Sequence, residues 1–195
     1  MDMTGNIADT RATEMEELVR NLADALCARQ SMLATAESCT GGLVAHELTN
    51  MPGSSRWYGG GVVAYSNLVK QTLLKVPEEV ILAHGAVSAE TVLAMAAGAR
   101  KLLQTEAALA VSGIAGPDGG TPDKPVGTVW MAWSVNDAAH ALCYRFSGSR
   151  REIKRQSALA ALEGLLAMFS SPDGDLPHPP QPKARHALLH RLAAE

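Results

Sequence analysis

Hydrophobic positions change period several times along this chain, and each change marks an element. Thr13 and Glu16 have capping-box spacing, and Met15, Leu18, Val19, Leu22 and Leu26 follow at helical intervals. Met1 to Thr10 shows no such repeat and reads as a loose leader. Ser31 to Ala36 is an apolar run of strand length, followed by a helix carrying Leu43, Val44 and Leu48. Pro, Gly and Ser mark Met51 to Arg56 as a loop. Val62 to Tyr65 predicts a second strand, leading into a helix that carries Lys70. Beyond Lys75-Val76-Pro77 come a short helix and a long one, Ser88 to Leu103, with Ser88 as its cap. Ala107 to Ile114 reads as strand and Ala115 to Pro125 as loop. Val126 to Val135 and Ala138 to Phe146 form an antiparallel pair about a turn at Asn136-Asp137, and Ser149 opens a last helix reaching Phe169.

Helices thus alternate with single strands before a final strand pair. That order predicts a layered α/β domain, residues 11–169, with helices on both faces of a mixed sheet. Pro172, Pro177, Pro179, Pro180 and Pro182 make 170–182 an extended linker, and 183–195 regains a helical pattern as a tail.

Composition narrows the class. With 195 residues, 47% hydrophobic and 19% charged, the chain suits one soluble domain with a large core. Aromatics are only 4%, so Ala, Leu, Val and Met must build that core. A net charge of −3 argues against a nucleic-acid partner, which calls for a basic face. The run from Arg150-Arg151 to Lys154-Arg155 is short, broken by Glu152, and reads as a solvated helix face. Cys27, Cys39 and Cys143 form no C-x-x-C, which favours a reducing compartment without disulfides or a zinc knuckle. No signal segment and no apolar run of ~18 residues is present, so the expectation is a cytoplasmic protein without a membrane partner. Ala-rich stretches such as Val92 to Leu103 suit a homo-oligomer and an ordinary core equally.

Nucleotide-binding and metalloenzyme signatures are missing. There is no Gly-Lys phosphate loop, no G-x-G-x-x-G, no G-x-S-x-G and no S-x-x-K. His46-Glu47 begins a zincin-like pattern, but Asn50 stands where the second histidine belongs. His186 and His190 have a metal-compatible spacing in the tail without further ligands. Neither a metal nor a cofactor is expected.

Three blocks carry chemistry instead, each where a strand gives way to a loop or helix. In the first, Ala36-Glu37-Ser38-Cys39-Thr40-Gly41-Gly42, the glycines permit close backbone approach and the helix N-terminus favours an anion. A capped helix with glycines for close packing explains the same residues. Cys39 has no neighbouring histidine and reads as a small buried filler. The second block, Tyr65-Ser66-Asn67 with Lys70, offers a lysine that burial beside a serine would convert to a general base. The alternative is a surface cation. Ser54 and Ser55 are candidate partners, and Tyr65 could relay the proton. The third, Ser112-Gly113-Ile114-Ala115-Gly116-Pro117-Asp118-Gly119-Gly120, is a loop after a buried strand, where α/β proteins bind ligands. Asp118 there either bonds a sugar hydroxyl or stabilises the turn.

These blocks, with Pro52-Gly53-Ser54-Ser55, Gly61 to Tyr65, Gly85-Ala86-Val87-Ser88 and Lys124 to Val129, resemble the CinA C-terminal domain family. The resemblance runs from Met15 to Phe169. It implies a three-layer α/β/α sandwich and hydrolysis of nicotinamide mononucleotide to nicotinic acid mononucleotide and ammonia, in pyridine-nucleotide salvage. It also implies a small-molecule nucleotide substrate and serine–lysine amidase chemistry without a metal. The molybdopterin-binding-like domain of longer family members has no counterpart here, which suggests a stand-alone form.

Carried onto this chain, the resemblance makes Ser55 the working nucleophile, Lys70 its base and Tyr65 an assistant in proton transfer. Ser38 is the competing nucleophile; otherwise it helps Thr40, Gly41 and Gly42 form the ligand pocket. Asn67, Ser112, Gly113, Gly116 and Asp118 would hold the nucleotide, with Arg151 or a basic neighbour on its phosphate. Two departures from relatives stand out. Ser112 replaces a common threonine, which retains the hydroxyl, and Gly59-Gly60 replaces bulkier residues, which would loosen that corner.

Overall fold

A computed structural model describes residues 4–170, with side chains from residue 13 onward. Helix α1 (Thr4–Ala28) is followed by strand β1 (Leu33–Glu37), helix α2 (Leu43–Thr49) and a short 3-10 turn, Ser54–Arg56. Strand β2 (Tyr58–Val63) leads to α3 (Asn67–Thr72), α4 (Glu78–His84) and α5 (Ala89–Leu103). Strands β3 (Ala107–Gly113), β4 (Thr128–Val135) and β5 (Ala138–Arg145) precede α6 (Arg150–Ser170). The expected order holds throughout the described residues. Ser170, read as the first residue of the linker, instead ends α6; the rest of the linker and the tail, 171–195, lie outside the described residues.

The sheet has five strands in the order β2-β1-β3-β4-β5. β1 runs parallel to β2 and β3, whereas β4 is antiparallel to β3 and β5, so the sheet is mixed as expected. Strand alternation sends its side chains to two separate cores. Leu33, Leu109, Met131 and Trp133 pack with Leu22 and Leu26 of α1, Leu48 of α2 and Leu165 of α6. On the other face Ala34, Ala36, Ala108, Ala110 and Ala132 meet Val92, Met95, Ala96 and Ala99 of α5, joined by Leu74 and Val76. The alanines let α5 lie close on the sheet. This is the three-layer α/β/α sandwich.

Two local readings change. α1 is a continuous 25-residue helix through Thr13, so the capping box is unused and residues 4–10 are helical. Docking of Val19, Leu22 and Leu26 supplies the tertiary support from which the helix extends backwards. β2 starts at Tyr58 rather than Val62, because Gly59, Gly60 and Gly61 carry no apolar signal; Gly60 and Gly61 pair with Ala34 and Thr35 of β1, and Gly59 sits at the register shift between Leu33 and Ala34. A Cβ on Gly61 would run into Thr35 Oγ1 and Tyr58 Oη, which bond each other at 2.7 Å. Gly61 is thus a strand residue that leaves room for its neighbours' side chains, whereas a Cβ on Gly60, at φ +129°, would meet nothing within 4 Å.

The three parallel strands share one direction, so Glu37, Val63 and Gly113 end at the same edge of the sheet. All three chemistry-bearing blocks leave from that edge. Ser55 precedes β2 and lies at the opposite edge. Among the described residues no helix is long and apolar enough to cross a membrane.

Candidate active site

Ser38 sits just beyond β1, where the alternation of Ala34 and Ala36 carries its side chain toward the α3–α5 layer. Ser66 caps α3 by accepting a bond from Val69 N at 3.3 Å, which places Lys70 one turn into the helix. Lys70 Nζ then donates to Ser38 Oγ at 3.1 Å and to the Ala64 carbonyl at 2.9 Å. Lys70 is only 2% exposed and Ser38 8%. Burial lowers the lysine's pKa from its ordinary 10.5, with Cys39 pulling the other way. A neutral amine at that distance can accept the serine proton.

Cys39 lines the same cleft but has the opposite electrostatics. Burial pushes its thiol up to about 12, so it stays protonated at neutral pH. The filler reading of Cys39 agrees with this environment.

The cleft, of about 300 Å³, also takes in Tyr65, Asn67, Ser112, Gly113, Gly116 and Asp118. Six residues named from sequence therefore join Ser38 and Lys70 around one space. Ser112 Oγ donates to the Ala86 carbonyl at 2.7 Å, fixing the Ala86–Val87 wall. Tyr65 is 61% exposed at the rim, and its hydroxyl accepts a bond from Arg150 Nη2 at 2.8 Å. Arg150 Nη1 donates to the Gly116 carbonyl at 2.6 Å, so this one side chain joins two walls of the mouth.

Other expected residues fall elsewhere. Ser55 is exposed in the 3-10 turn, and the six residues of β2 separate its edge from that of Lys70. At ~3.3 Å per residue that strand spans roughly 20 Å. Ser55 therefore does not meet Lys70, and the serine hydroxyl within hydrogen-bond reach of Lys70 is that of Ser38. Arg151 is exposed and does not line the cleft; its neighbour Arg150 does.

Thr40, Gly41 and Gly42 do not line the cleft either. The Glu37 carboxylate, 1% exposed, accepts bonds from Gly42 N at 2.9 Å, Val44 N at 3.1 Å and Ala45 N at 2.8 Å. It occupies the N-terminus of α2, so no substrate anion is needed there. A left-handed φ of +94° at Gly42 turns its amide back toward the carboxylate, while Gly41, at +64°, donates its N–H to the Ser38 carbonyl at 3.2 Å. Thr40 is fully buried, and its hydroxyl has no hydrogen-bond partner among the described residues.

Sequence reading assigned no role to Glu37 and preferred Arg151 to Arg150. Two signals were available. Gly42 offers α2 no capping side chain, and an acid stands five residues before it. Arg150 is the first residue of α6, beside the third block in space though not in sequence.

The fold and cleft define an α/β domain with a buried serine–lysine pair at the carboxyl edge of a mixed sheet. The chain belongs to the CinA C-terminal domain family, whose model matches residues 15–169. The nicotinamide-nucleotide amidohydrolase PncC of Pseudomonas putida is 46% identical over 159 residues, covering 82% of this chain and 95% of that protein. A CinA-like protein of Gemmatimonas aurantiaca is 49% identical over 150 residues, 76% of this chain; the match spans only 35% of that longer protein. The solved competence/damage inducible protein CihA of Agrobacterium tumefaciens superposes with a TM-score of 0.77 at 40% identity, covering 80% of this chain and 96% of that one.

Proposed function

We propose that this protein hydrolyses the carboxamide of nicotinamide mononucleotide, giving nicotinic acid mononucleotide and ammonia. The observation that carries this reading is the buried Lys70 Nζ–Ser38 Oγ contact at 3.1 Å, opening into a cleft lined by Asn67, Ser112, Asp118 and Arg150. The amidohydrolase PncC of P. putida, similar over 95% of its own length, supports the substrate.

Neutral Lys70 takes the Ser38 hydroxyl proton as Oγ attacks the carboxamide carbon. The resulting ammonium returns a proton to the departing nitrogen, which leaves as ammonia with the C–N bond broken. Ser38 then carries an ester of the nicotinate group. Water, deprotonated by Lys70, attacks that ester, and Ser38 Oγ recovers its proton as the acid is released. Tyr65 at the rim assists proton transfer. Asn67, Ser112, Gly113, Gly116 and Asp118 hold the nucleoside. With the α2 N-terminus filled by Glu37, the phosphate goes to Arg150, a reading supported by its position in the cleft lining.

Ammonia release from nicotinamide mononucleotide by purified protein, with a chelator present, tests the reading. Turnover is expected, with nicotinic acid mononucleotide as co-product. Nucleotide binding without ammonia would overturn it and leave a non-catalytic binding module.

A further inference from the structure

We propose that Glu37 is a positioning residue for the Ser38–Lys70 pair, holding nucleophile and base in register through its own backbone and side chain. The proposal rests on the reading of Ser38 as nucleophile. A closed ring of contacts supports it. The Glu37 carbonyl accepts Ala64 N at 2.7 Å; the Ala64 carbonyl accepts Lys70 Nζ at 2.9 Å; Lys70 Nζ reaches Ser38 Oγ at 3.1 Å; and Ser38 is bonded to Glu37. Ser38 N is tied in turn to the Val111 carbonyl at 2.8 Å.

The side chain anchors this ring from the opposite face of the sheet. Its two oxygens take three amides of the first turn of α2, fixing the segment that leads away from Ser38. Rotation of the Glu37 backbone would move Ser38 Oγ directly and Lys70 through Ala64. The carboxylate itself lies outside the cleft, and its three hydrogen bonds from Gly42, Val44 and Ala45 all come from backbone N–H groups. It acts through the reactive pair and not on substrate.

Glu37→Gln tests this in the full chain. The amide can keep an oxygen toward Gly42 and Val44 but sets an NH2 against Ala45 N. The expected result is a kcat lowered about 10–100-fold, with KM and product affinity within about threefold, as misplacement of reacting atoms produces. Because the Glu37 carboxylate bonds amides of α2 and not Lys70, the alkaline rise of kcat should persist in the variant. Ala45→Pro, which deletes one donor near the start of the helix, should lower kcat in the same direction by less. It also serves as the decisive variant if Glu37→Gln does not fold.

A fluorophosphonate that labels reactive serines, read by peptide mass, separates this proposal from the choice of substrate. Labelling of Ser38 in wild type, slowed in a folded variant, supports the positioning role even if nicotinamide mononucleotide is not turned over. An unlabelled Ser38 in a wild type without turnover overturns it. So does a folded Glu37→Gln, or failing that a folded Ala45→Pro, with wild-type kcat and labelling. Loss that only tracks the unfolded fraction, or a vanished pH dependence, would also contradict it.

Discussion

Lys70 follows Ser38 by 32 positions in sequence, yet its Nζ stands 3.1 Å from the Ser38 hydroxyl. β1 and β2 make that contact. Their parallel pairing brings the two strand ends to one edge, and the turn through Ala64 to α3 aims the lysine inward. Burial lowers the pKa of that lysine, as the base role proposed for it requires.

Lys70→Met should lower kcat by about 10²–10⁴, the range for loss of a general base. The protein should remain folded, since methionine fills similar space without a buried amine. In wild type the folded-state pKa of Lys70 lies below 10.5, so between those values the unfolded chain binds more protons. Wild-type stability therefore rises with pH across that window, and the advantage of Lys70→Met in melting temperature should shrink there. Wild-type kcat should rise as Lys70 loses its proton. Melting curves and rates across neutral to alkaline pH check both trends.

Arg150→Met should raise KM for nicotinamide mononucleotide about 10–100-fold, the effect of losing a charge-assisted contact. The variant should lose much of its preference over nicotinamide riboside, which has no phosphate. Arg151→Met should stay within about threefold of wild type, as expected for a surface side chain. Steady-state rates with both substrates distinguish the two arginines.

Cys39→Ala should retain turnover, and iodoacetamide at neutral pH should not inactivate the wild type. A thiol pushed up to about 12 supplies almost no thiolate. Residual activity after alkylation, with peptide mass to locate any adduct, measures this.

The layered fold was legible because strands and helices alternate with clear periods. The Leu22–Leu26 stripe points to one core, and Ala108 and Ala110 of β3 point to the other. The β2 boundary was not, since Gly60 and Gly61 pair by backbone alone. At the site, Lys70 and its need for a buried serine were readable. Which serine was not: Ser55 is nearer in sequence, and only the shared direction of β1 and β2 sends it to the far edge. Glu37 stayed hidden because its bonds go to amides, which every residue but proline has. Arg150 and Tyr65 meet across 85 positions, beyond what local spacing reveals.

Ammonia release from nicotinamide mononucleotide by Ser38→Ala and Ser55→Ala, with nucleotide binding followed in parallel, tests the assignment of the nucleophile most directly. Ser38→Ala should bind the nucleotide with turnover reduced at least about 10³-fold, as expected when a covalent nucleophile is removed, while Ser55→Ala should match wild type. Undiminished turnover in Ser38→Ala, or its loss in a folded Ser55→Ala, would contradict it.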